Sequence, residues 1–91
     1  MSKRTAVELA EPDGVVHVVP HPTEADVWTA RTAAGVTSYR PPHDEGREPV
    51  VIGYYALVAL GRCGVDVGGK WTCGVLPKDA GIVLTRRTVL R

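Results

Sequence analysis

Serine is scarce in this 91-residue chain, occurring only at Ser2 and Ser38. Neither lies in a G-x-S-x-G turn, so the serine-hydrolase elbow is excluded. A Gly-rich phosphate loop is also missing. The glycines at 61, 64, 68 and 69 lead into no helix that opens with a Lys-Ser/Thr pair. No apolar run reaches the ~20 residues that a membrane-spanning helix requires. The first residues, MSKRTAVELAEPDG, contain no apolar signal core, so the expected compartment is the cytoplasm. Thiols stay reduced there, and only two are present, Cys63 and Cys73. Internal repeats and low-complexity tracts are absent.

What is present is β-favouring. Val, Thr, Ile, Tyr and Trp make up a third of the chain. Ten glycines and seven prolines punctuate it, as short strands joined by turns require. The length allows one domain, 1–91, with a thin core. The expected fold is α+β, mostly antiparallel β hairpins with one or two short helices. A small all-β barrel or sandwich is the alternative. Heavy use of Ala, Val, Gly and Arg suggests a GC-rich genome, actinobacterial or that of a phage.

Local signals order the chain. Pro12-Asp13-Gly14 reads as a turn joining strands Thr5–Glu11 and Val15–Val19, with Pro20 and Pro22 ending the second. Residues 24–34 admit two readings. One is a helix capped by Thr23 and closed by Gly35; the other, preferred, is a hairpin of VWTART and VTSYR turning at Ala33–Gly35. RPPHDEGREP, 40–49, reads as a polar surface loop. VVIGYYALVAL, 50–60, carries no charge and fits either a strand or a helix closed by Gly61. The segment AGIVLTRRTVLR reads as a terminal edge strand guarded by Arg86 and Arg87.

GRCGVDVGGKWTCG, 61–74, predicts a hairpin with Gly69 in the left-handed position of its loop. Cys63 then faces Cys73 on the core side, with Val65, Trp71 and Val75, while Asp66 faces Lys70. The pair reads first as small buried residues, with a cross-strand disulfide as the second reading. A zinc set with His17 and His21 is the third, but its spacing resembles no tight ligand knuckle. A Cys–His nucleophile pair is disfavoured because both thiols are expected to face the core. Asp44-Glu45 and His43 read as solvated loop residues. No cofactor and no metal ligand is expected.

These readings describe a non-enzymatic protein-interaction domain, an adaptor or inhibitor, that associates with its own copy. The candidate interface is Val51, Tyr54, Tyr55 and Leu57 within the uncharged run. A second reading is nucleic-acid binding through Arg86, Arg87 and Arg91, with Lys3 and Arg4 if the termini lie close. It is weakened by net charges of −3 over residues 1–48 and +4 over 49–91. A third is a phage virion or assembly component. No membrane partner is expected.

Overall fold

A computed structural model describes residues 14–87, and at position 79 the backbone alone. Five strands and one helix follow in the order β1 (Val15–Pro20), β2 (Trp28–Thr32), β3 (Gly35–Tyr39), α1 (Pro49–Arg62), β4 (Trp71–Val75) and β5 (Ile82–Arg86). The strands form one antiparallel sheet in the order β3-β2-β1-β5-β4. The helix lies on one face of it, against β3, β4, β2 and β5. The architecture is therefore α+β with hairpins. The sheet stays open, so the barrel alternative is not adopted.

Each element follows from its residues. In β1 the valines at 16 and 18 are buried while His17 and Val19 are exposed, the two-residue period of a strand with one covered face. The hairpin reading of 24–34 holds: Thr32 pairs with Gly35 around a two-residue turn at Ala33-Ala34. The helix reading fails because Asp26 takes a left-handed φ of 62° and gives its carboxylate to Arg47 instead of a cap. His21 organises the preceding turn, its Nδ1 accepting the N–H groups of Glu24 and Thr23 at 3.0 and 3.2 Å.

The run 50–60 is helical. Pro49 occupies its first turn, where a missing N–H costs nothing. The helix passes through Gly61 and stops at Cys63. There Gly64, with φ 92°, lets its own N–H reach Gly61 C=O and lets Val65 N–H reach Leu60 C=O. This Schellman pair needs the left-handed residue that glycine supplies. Val65 then packs on the core beside Leu60.

That cap overturns the expected 61–74 hairpin. Residues 63–66 are used to end the helix, so β4 has no partner there and pairs with β5 instead. The indole N–H of Trp71 donates to Val67 C=O at 3.1 Å and curls the intervening loop. Gly69 does take a positive φ of 93°, though not within a hairpin. Asp66 makes its ion pair with Arg86, not Lys70. The strand expected within AGIVLTRRTVLR forms, but its expected place at the sheet edge is corrected. β5 lies inside the sheet, with Ile82 and Leu84 only 4% and 3% exposed. The strand expected over Thr5–Glu11 lies outside the described residues, and β1 is flanked on its two sides by β2 and β5.

The core is Val16, Val18, Ala30, Ile52, Ala56, Leu60, Ile82 and Leu84. Each buried Val, Leu or Ile contributes about 1.5–3 kcal/mol. Gly53 brings the helix against β5, since a Cβ there would press into the Leu84 side chain. Tyr39 pins β3 under the helix, its hydroxyl donating to Ile52 C=O at 2.7 Å. Burial pushes that hydroxyl above the ordinary phenol range. Loop 40–49 is less loose than its composition suggests: Pro41 is fully buried, and Arg47 donates to the carbonyls of Pro41, Pro42 and Gly46.

Candidate functional site

The helix carries no charged side chain from Pro49 to Gly61. Its core-facing arc is Ile52, Gly53, Ala56 and Leu60. At 100° per residue a second apolar stripe, Val50, Tyr54, Leu57 and Val58, lies on a different arc. Val50 is 64% and Tyr54 59% exposed, unusual values for such residues. Five strands span about 19 Å between outer axes, and one helix about 10–12 Å across roofs only part of that width. The result is an apolar groove of about 430 Å³ between the second stripe and β4.

Val50, Tyr54, Leu57 and Val58 form one wall of this groove. Val67, Gly69, Trp71, Thr72 and Cys73 form the other, with Gly53 and Leu84 at the floor. Trp71 is held in place from two sides. Its N–H is bonded to Val67, and the Arg86 guanidinium stacks 4.8 Å from its ring centre. Among the described residues, no acidic, basic or imidazole side chain lines the groove. Its ionisable groups are Tyr54 and the Cys73 thiol, which burial pushes up and so keeps protonated. Such a lining has no ready nucleophile–base pair. It suits the burial of apolar side chains.

The expected interface residues divide. Tyr54 and Leu57 line the groove, whereas Val51 and Tyr55 lie on the helix flank away from it. The two tyrosine rings meet edge to face at 4.9 Å. Val50, Val58 and Val67 were not singled out as site residues by sequence reasoning, and Trp71 was read as a core-side residue of the expected hairpin. A helical wheel on 50–60 would have found the first two. The others depend on a loop that curls back, for which no local signal exists.

The expected basic patch is arranged differently. Arg86 is engaged internally, donating to the carbonyls of Gly68 and Asp66 at 2.8 and 3.2 Å. Arg87 is exposed. Arg91, Lys3 and Arg4 lie outside the described residues. The cysteines are both free and exposed, Cys63 at the helix cap and Cys73 on β4, which corrects the buried cross-strand pair. His17 projects from the sheet face opposite the helix, on the far side from Cys73, because residues of odd and even position alternate across β1. His21 is occupied as a turn acceptor. Comparison with family models, curated proteins and solved structures finds no match to this chain.

Proposed function

We propose that this chain is a small non-enzymatic protein-interaction domain, an adaptor or inhibitor, that works as a pair of identical copies. The supporting observation is the helix α1, uncharged from Pro49 to Gly61, whose second apolar stripe stands half-exposed beside an uncharged groove. A helix that is apolar all round is normally covered all round. In one copy the sheet covers only one arc. A second copy can supply the rest, since stripe and groove sit on the same face and are self-complementary under a two-fold axis. Neither surface bears a charge, so like copies do not repel there.

The test is sedimentation of the full chain at micromolar concentration. The wild type is expected to sediment as a dimer. Tyr54→Asp places a carboxylate in the groove and is expected to give a folded monomer. Tyr55→Asp, on the flank away from the groove, is expected to leave the dimer largely intact. A wild-type monomer at these concentrations would remove self-association from the reading. The nucleic-acid alternative has weaker support, because Arg86 is engaged with Gly68, Asp66 and Trp71. A virion or assembly component would use the same self-associating surface.

A further inference from the structure

We propose that the open edge of β4 is a docking strand for an extended segment of another protein, apolar at its centre and acidic at its ends. The proposal rests on the reading as a protein-interaction domain but not on self-association. It starts from the phase of the sheet ladder. Arg87 N–H donates to Lys70 C=O at 2.7 Å, and Leu76 N–H to Gly81 C=O at 2.9 Å. In an antiparallel pair such bonds recur at every second residue. Thr72 and Gly74 therefore bond towards β5. The N–H and C=O groups of Trp71, Cys73 and Val75 point away from it, to the side where no described strand lies.

This edge is unguarded. Trp71–Val75 contains no charge, no proline and no bulge, the devices that usually blunt an edge strand. Val75 is 63% exposed. The other edge strand, β3, runs straight into Arg40-Pro41-Pro42 and is tied under the helix through Tyr39. A row of unpaired main-chain donors and acceptors is best matched by another extended backbone, which gives affinity without regard to sequence. Side chains then set preference. Uncharged residues at the centre would meet Trp71, Cys73 and Val75. Lys70 and Lys78, both exposed, bracket the strand with like charge and favour carboxylates at the ends of the docked segment. The same two lysines disfavour a second β4. Antiparallel pairing about Cys73 would set Lys70 of each copy opposite Leu76 of the other, two residues from its Lys78.

The experiment adds the peptide EEVTVTVEE to the full chain and follows amide hydrogen exchange residue by residue. The amides of Cys73 and Val75 are expected to gain protection, while those of Thr72 and Gly74 are already protected and change little. The same peptide with N-methyl groups on its pairing edge should bind at least about tenfold more weakly, having lost several hydrogen bonds. So should KKVTVTVKK. Cys73→Pro removes an outward N–H and no β5 bond, and should bind weakly while keeping the exchange pattern of β1 and β5. The N-methyl comparison needs no variant and stands if that one misfolds. Equal binding of the methylated peptide would overturn the proposal. So would no binding at millimolar peptide, or Cys73 and Val75 amides already protected in the free chain. Sedimentation of the free chain separates this test from that of self-association: a monomer that docks the peptide upholds the proposal and overturns self-association, and a dimer that does not dock it does the reverse.

Discussion

At Gly81 the chain enters β5 with φ 120°, and a Cβ there would collide with the Val18 carbonyl oxygen and lie 3.0 Å from Val19 Cγ1. Gly81→Ala therefore meets a steric and a conformational obstacle together. It is expected to cost on the order of 2–3 kcal/mol, read from the denaturant midpoint. A loss within about 0.5 kcal/mol would show that β1 and β5 can separate slightly there without penalty. Asp26 offers a gentler test. Its carboxylate takes two hydrogen bonds from Arg47, both 2.8 Å, and this holds its pKa below the usual carboxylate value. A depressed pKa means stability that is present above the unfolded value, near 3.9, and lost as pH falls through the folded one. Asp26→Asn keeps a residue that tolerates the left-handed backbone and removes the charge and one of the two acceptors that Arg47 uses. It should be the less stable protein at pH 7, and the gap should close on acidification below pH 4. The gap should also shrink in high salt, since both groups are about a third exposed. A gap unchanged from pH 7 to pH 2 would show that the pair does not contribute.

At the level of elements, the hairpin of β2 and β3 was legible because Val, Trp, Thr and Tyr flank a short turn. β1 was legible from the Pro12-Asp13-Gly14 turn signal before it and the prolines that end it. The helix was half legible: VVIGYYALVAL signals burial, but strand and helix both bury such a run, and periodicity cannot choose when every position is apolar. Gly61 looked like the stop. The real stop, Gly64, needs Val65 to reach Leu60, a contact that propensity does not encode. The cysteine hairpin misled for a related reason. Its residues suit a strand pair, but a helix end three residues into it had first claim on the backbone. The groove was therefore only partly readable. Its helix wall is local in sequence, while Val67 and Trp71 are placed by the loop, and Leu84 comes from a strand whose neighbours are set by long-range pairing. The polar loop 40–49 hid its buried Pro41 for the same reason.

At the scale of the molecule, the described residues give a thin two-layer body of eight core residues and one α-helix over the sheet. Such a body gains from a partner. If folding and pairing are coupled, the melting temperature should rise by about 3–5 °C per tenfold increase in chain concentration. Tyr54→Asp should flatten that dependence, and a wild-type melting point independent of concentration would argue for a self-sufficient monomer. The strand order carries one more consequence, for the making of the protein on the ribosome. The penultimate position in the sheet, between β1 and β4, belongs to the strand translated last of the five. Until Ile82–Arg86 emerges, β1 has one neighbour and β4 has none. A nascent chain halted before that point holds a hairpin pair and a sticky helix but no closed core. Quality-control factors would see it as unfinished whatever the residues before Ile82 had already built.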